Sequence, residues 1–250
     1  MRRARSLVIA TLLLAALGVP GGTALAAPPD APLIDGQGPA AYPPLPACHY
    51  QDLVTRFRGL RQWRRTLVDT NLMVGKSYRP TDLVPVSRAG IGGTGLIRAI
   101  AVDDLRAMAR AADKAGAGIA VRSAYRSYQQ QIATFNGWVA RSGYRQALLF
   151  SARPGHSEHQ LGTTIDFRSA SSATPPWGYS DWATTRSGAW MQRNAWQYGW
   201  VLSYPRGKRS QVCYGYEPWH WRYVGRAEAK AIHASGWTTR RYLWRTFEAS

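Results

Sequence analysis

The chain has 250 residues, 32 Lys and Arg against 14 Asp and Glu for a formal net charge of +18, and a 45% hydrophobic share with 18% charged residues. That apolar content supports a packed core and excludes a disordered polyelectrolyte. Two cysteines, Cys48 and Cys213, exclude a disulfide-dense scaffold, and neither has the C-x-x-C spacing of a cysteine zinc site.

Arg2, Arg3 and Arg5 precede an apolar run from Leu7 to Leu17 that is too short to span a bilayer, and Ala24 and Ala26 offer a small-residue cleavage site. Residues 1–26 are therefore expected to be a secretion signal. The Pro, Gly and Ala stretch at 27–47 reads as a linker, and 48–250 as one folded domain. Export implies an oxidising compartment, in which Cys48 and Cys213 are expected to form a disulfide. The protein is then expected to be secreted, with no transmembrane span in the mature chain. Its positive charge suits anionic wall polymers, anionic lipids or extracellular nucleic acid, without choosing among them.

Leu53, Phe57, Leu60, Trp63 and Leu67 recur at helical spacing among five arginines, which predicts a basic amphipathic helix packed on the domain. A second helix is marked by Val102, Leu105, Met108 and Ala112, with acids in its first turn. Ile119 to Val121 reads as a strand, and Ser127 as the N-cap of a helix closed by Gly143. Thr163–Phe167 alternates like a strand. Trp190–Tyr198 looks helical up to Gly199, Val201–Tyr204 extends, and Trp219–Val224 is an aromatic strand. Helices grouped around a few antiparallel-looking strands predict an α+β domain with a small antiparallel sheet.

Hydrolytic zinc needs three N or O ligands, an open position for water and a nearby carboxylate to take a proton. Two segments hold such groups. In Ser157-Glu158-His159-Gln160-Leu161-Gly162-Thr163-Thr164-Ile165-Asp166, a glycine turn can fold His159 back beside Asp166. In Glu217-Pro218-Trp219-His220, carboxylate and imidazole point to opposite faces of an ideal strand, so a bend at Pro218 is needed to bring them together. Either histidine, taken alone, reads more readily as a hydrogen-bonded structural residue than as a ligand.

The pattern S-x-H-x6-D followed downstream by E-x-x-H resembles metallopeptidases that group D-alanyl-D-alanine carboxypeptidases with lysostaphin-like enzymes and hedgehog domains. It is most similar to VanY-type D-alanyl-D-alanine carboxypeptidases. Arg153–Gln160 with Gly162 and Asp166, Glu217–Gly225, Tyr78–Pro85, and Arg122–Tyr128 with Gln131 carry the resemblance. It implies zinc on His159, Asp166 and His220, with Glu217 as the base for water. It further implies Arg126 at the charge that develops on the scissile carbonyl, and Ser157 and Gln131 toward substrate. The implied substrate is the terminal bond of a peptidoglycan stem peptide.

Two positions depart from the family pattern. Thr164 stands where a small apolar residue is usual and is expected to hydrogen-bond near the metal ligands. His156 is an extra imidazole, read as a loop residue rather than a substrate contact. Competing functions are a cross-link endopeptidase, a zinc-stabilised wall-binding module without turnover, and a polyanion binder. Glu217 and Arg126 argue against the second, and no recognisable nucleic-acid motif supports the third.

Overall fold

The computed structural model describes residues 43–249, which belong to one compact unit. The expected signal at 1–26 and the linker as far as residue 42 lie outside the described residues. Among the described residues, no helix is long and apolar enough to cross a membrane.

The centre of the domain is a four-stranded antiparallel sheet. Its strands follow two short pairs: β1 (Leu53–Val54) runs parallel to β2 (Leu72–Met73), and β3 (Leu83–Pro85) antiparallel to β4 (Leu96–Arg98). Helix α1 (Val102–Lys114) carries Asp103 and Asp104 in its first turn and buries Val102, Leu105, Met108, Ala109 and Ala112 as one stripe. Then come β5 (Ile119–Ser123), α2 (Tyr128–Ser142), α3 (Tyr144–Phe150) and β6 (Thr164–Ser169). The chain continues through α4 (Arg186–Asn194), β7 (Trp200–Leu202), α5 (Arg209–Val212), β8 (His220–Tyr223), α6 (Arg226–Ser235) and α7 (Thr239–Leu243). The central sheet has the order β5-β6-β8-β7.

Alternation decides the two faces of that sheet. Ile165, Phe167, Trp221 and Tyr223 point into a core shared with Leu105, Met108 and Met191 of α1 and α4. Asp166 and His220, a directly opposed pair in the β6–β8 register, point the other way. The helix predicted to open at Ser127 is present: the Ser127 hydroxyl accepts from Gln130 N, and the Gln130 side chain accepts from Ser127 N, closing a reciprocal cap.

The basic helix expected from Leu53 does not form. Leu53 N and Thr55 N instead donate to the Asn71 and Met73 carbonyls in a strand pair, and only a short 3-10 turn follows at Leu60–Gln62. The apolar positions are not one buried stripe: Leu53 and Val54 are more than half exposed, whereas Trp63 and Leu67 are buried. Gly59 also lowers the helical preference of the segment. Residues 63–66 are held by a fully buried arginine, Arg222, whose Nη2 donates to the carbonyls of Trp63 and Thr66 at 3.0 and 2.6 Å.

The cysteines are joined, Cys48 to Cys213, with Cα atoms 5.2 Å apart. This fastens the start of the described chain to the end of α5, shortly before Glu217.

Candidate active site

His159 lies on a 3-10 turn, Glu158–Leu161, that ends at Gly162 in the left-handed region with φ 70°. A side chain at Gly162 would be strained there, and its Cβ would come within 3.0 Å of Arg98 and Leu83. The turn reverses the chain into β6 and returns His159 to Asp166, with Nε2 3.3 Å from Oδ2. Across the ladder, His220 Nδ1 is 3.1 Å from Asp166 Oδ1. The bend before β8 is also present: His220 N donates to Glu217 O, and Trp221 Nε1 to Pro218 O. It brings Glu217 Oε2 to 3.6 Å from His220 Nδ1.

The outer partners of the histidines fix which nitrogen faces the cluster. His159 Nδ1 donates to the Ala124 carbonyl at 2.7 Å, which leaves the Nε2 lone pair toward Asp166. His220 Nε2 donates to Glu158 Oε2 at 3.0 Å, which leaves Nδ1 toward Asp166 and Glu217. Such hydrogen bonds set tautomer and orientation in metal-binding histidines. Two imidazole nitrogens and one carboxylate oxygen, all within 4.8 Å of one another and all buried, remain directed at a common point. Zinc bonds of about 2.0–2.2 Å in a tetrahedron place ligand atoms roughly 3.3–3.6 Å apart; the His159 contact to Asp166 lies in that range at 3.3 Å, and the His220 contact, to the other carboxylate oxygen, is slightly shorter at 3.1 Å.

Electrostatics give the same fit. Burial pushes the His220 imidazole down, but its hydrogen bonds to Asp166 and Glu158 carry it up to about 10. Burial likewise opposes ionisation of Asp166, yet the adjacent histidines hold it well below the usual carboxylate range. Left to protons alone, the cluster draws positive charge onto itself. A divalent cation supplies that charge at the same place.

Glu217 differs from these carboxylates. Burial raises it to about 7, with the Asp166 charge adding to the rise and His220 opposing it. Its side chain remains 26% exposed, so it reaches the open side of the cluster. Burial lowers the Arg126 guanidinium from its ordinary value, and the nearby charges of Asp166 and Glu217 oppose that only in part. Its Nη1 donates to Gln131 Oε1 at 2.8 Å and its Nη2 to Ser123 Oγ at 3.4 Å.

Gln131 is fully buried, and its amide nitrogen donates to Ala152 O at 2.6 Å and Ser151 Oγ at 3.3 Å. The structure places it beneath Arg126, where it holds the guanidinium. Ser157 is buried at the N-cap of the turn that carries His159, and its hydroxyl does not cap that turn.

The two departures from the family pattern resolve differently. The hydroxyl of Thr164 is buried without a hydrogen-bond partner, so the bond expected from it is not made: the side chain is wholly buried, opposite Arg222 in the β6–β8 register. His156 is a structural residue, its ring bonded to the Asp69 carbonyl at 2.7 Å and to Asp52 Oδ1 at 2.9 Å.

Sequence reasoning missed Glu158 and Arg222. Glu158 accepts from His220, from Ser203 Oγ at 2.6 Å and from Arg222 Nη1 at 3.1 Å. Burial pushes its carboxyl up, but His220 and Arg222 bring it down to about 2. The available signal was the spacing: Arg222 follows His220 by two on an otherwise aromatic strand and so shares its face.

A buried His-Asp-His donor set, two members on one sheet face and one on the turn that leads into it, with a partly exposed glutamate at its edge, is the arrangement of a zinc metallocarboxypeptidase. The chain belongs to the VanY family, D-alanyl-D-alanine carboxypeptidase, whose family model matches residues 95–226. It is 37% identical over 184 residues to YodJ of Bacillus subtilis (strain 168), a protein named as a putative carboxypeptidase, covering 71% of this chain and 66% of that one. Over 118 residues it is 30% identical to the bifunctional D-Ala-D-Ala dipeptidase and carboxypeptidase VanXYC of Enterococcus gallinarum, covering 47% of this chain and 62% of that one. The chain spans between 35% and 66% of the length of the curated relatives it matches.

Among solved structures, the LdcB LD-carboxypeptidase superposes with a TM-score of 0.65 at 30% identity, covering 79% of this chain and 98% of that one. VanYB in complex with D-alanine-D-alanine gives 0.61 at 25% identity, covering 72% and 97%. A VanY D,D-pentapeptidase variant in complex with Zn(II) gives 0.61 at 25%, covering 72% and 99%.

Proposed function

We propose that the protein is a secreted, wall-associated zinc enzyme that hydrolyses the terminal D-alanyl-D-alanine bond of peptidoglycan stem peptides. The observation that carries this reading is the convergence of His159 Nε2, His220 Nδ1 and Asp166 on one point, with Glu217 at its open edge. The family to which the chain belongs and the D-alanine-D-alanine bound to VanYB support the substrate class.

His159, Asp166 and His220 would hold zinc, which supplies Lewis acidity toward the scissile carbonyl and the attacking water. Glu217, raised to about 7 by burial, takes the proton from that water and returns it to the leaving amine. Arg126 presents its fixed guanidinium to the charge that grows on the carbonyl oxygen. Gln131 and Ser123 hold that guanidinium, so little reorganisation is needed during reaction. Ser157, beside this shell, would contact the substrate backbone. The exposed arginines Arg58 and Arg61 suit an anionic wall polymer as a surface partner.

The test is mass spectrometry of defined stem peptides before and after incubation, with and without a chelator. A free-acid pentapeptide should lose its last D-alanine, and only while metal is available. Amidation of the terminal carboxylate should nearly abolish cleavage. Equal cleavage of amidated or cross-linked stems would identify an endopeptidase. Cleavage only of a tetrapeptide would identify an L,D-carboxypeptidase, the activity for which the structurally similar LdcB is named.

A further inference from the structure

Strand β5 departs from regular pairing beside the metal-ligand candidate Asp166. Val121 pairs with Phe167 and Ser123 with Asp166, so Arg122 is an extra residue inserted between them. A bulge of this kind re-aims a side chain, and bulges concentrate near active sites. Arg122 is exposed, and among the described residues no carboxylate pairs with it. Its guanidinium carbon instead lies 5.2 Å from the centre of the Trp177 ring.

Trp177 is itself held in place. It stands on a 3-10 turn, Pro176–Gly178, remains 50% exposed, and meets Trp219 edge-on at 6.0 Å. Trp219 lies between Glu217 and His220 in the chain. Farther along the same loop, Asp181 accepts from the Tyr216 hydroxyl at 3.1 Å and pairs with Arg206. The loop is thus fastened on both sides of Glu217, through Tyr216 and through Trp219.

Arg122 and Arg126 occupy different settings. Arg126 is half-buried, bonded to Gln131 and Ser123, and senses the charges of Asp166 and Glu217. Arg122 is exposed with its guanidinium carbon over an indole, a contact that restrains the side chain and leaves N–H groups available to an anion. A cation in that setting suits a carboxylate displaced from the reacting bond, not one next to it.

We infer that Arg122 and Trp177 form a rim subsite for a carboxylate of the peptide on the amino side of the cleaved bond, so that acidic stem peptides are preferred. The inference rests on the peptidase reading above and names one determinant of its substrate.

Its test uses two peptides that end in D-alanyl-D-alanine with a free terminal carboxylate. They differ only in an upstream residue, which carries a carboxylate in one and the corresponding amide in the other. Binding is measured by calorimetry on the full chain in a Glu217→Gln background that leaves peptide uncleaved, with and without Arg122→Gln. The acidic peptide should bind about three- to fivefold tighter than the amide when Arg122 is present, the size expected of a partly exposed ion pair. Arg122→Gln should remove that preference and leave the amide peptide's affinity unchanged. Trp177→Ala should reduce the preference without abolishing it.

A preference that survives Arg122→Gln, or no preference at all, overturns the inference. Hydrolysis of both peptides by the chain with Glu217 intact is scored separately. If neither is cut while the Arg122-dependent preference is present, the peptidase reading fails and the subsite stands.

Discussion

Glu158 and Arg222 meet at 3.1 Å in a part of the domain where Arg222 is wholly buried, and Glu158 uses its other oxygen to accept from His220. One buried ion pair therefore orients one of the three candidate metal ligands. Replacing Glu158 by Gln preserves its shape but removes the charge that offsets Arg222. Zinc affinity, measured by competition with a chelator, should fall about 10- to 100-fold although every ligand remains. The melting temperature should drop as well.

Glu217→Ala separates ligation from proton transfer. Zinc content by elemental analysis should stay near one per chain, while turnover of the pentapeptide should fall by roughly 10² to 10⁴. His159→Ala, Asp166→Ala or His220→Ala should each lose metal and activity together. Parental turnover in Glu217→Ala would require another base.

Replacing both Cys48 and Cys213 by Ser removes a link between residues 165 positions apart. Chemical denaturation should show a loss of about 2–5 kcal/mol relative to the oxidised parent. Cleavage per folded molecule should change little, because neither cysteine belongs to the metal cluster. Peptide mapping of the unreduced parent should recover the linked pair.

Tyr223 provides a test at alkaline pH. Burial, and then its hydrogen bond to Asp104 at 2.7 Å, raise the folded phenol above its ordinary value near 10. A raised folded value stabilises the protonated form. That contribution is complete below pH 10 and declines as pH rises through the folded value. Tyr223→Phe keeps the ring contacts with Trp63 and Trp200 while removing the hydroxyl. The variant should be less stable by roughly 1 kcal/mol at neutral pH. The gap between parent and variant should narrow above pH 10.

The site was more legible in the sequence than the scaffold around it. His159, Asp166, Glu217 and His220 sit in two short segments whose spacing, glycine turn and proline bend are local features. The partners of those residues are not local. Ala124 O reaches His159 across 35 positions and Glu158 reaches His220 across 62, and such pairings depend on sheet order rather than spacing.

Gln131 shows the same limit from another side. Resemblance put it near substrate, but its partners, Ala152 and Ser151, come from the segment after α3. The helix expected from Leu53 failed for an opposite reason. Period 3.6 was present, yet the backbone of this segment was taken up by β2 and by Arg222, and tertiary pairing outweighed local preference.

The carbonyls of Trp63 and Thr66 lie well upstream of residue 95, where the family match begins. A fragment trimmed to residues 95–226 would retain every candidate ligand, the base and Arg126. It would also strand the Arg222 guanidinium, whose Nη2 would lose both acceptors and whose charge would then compete with His220 for Glu158. The hydrogen-bonding needs of a single arginine therefore call for chain well upstream of the segment that the family model matches.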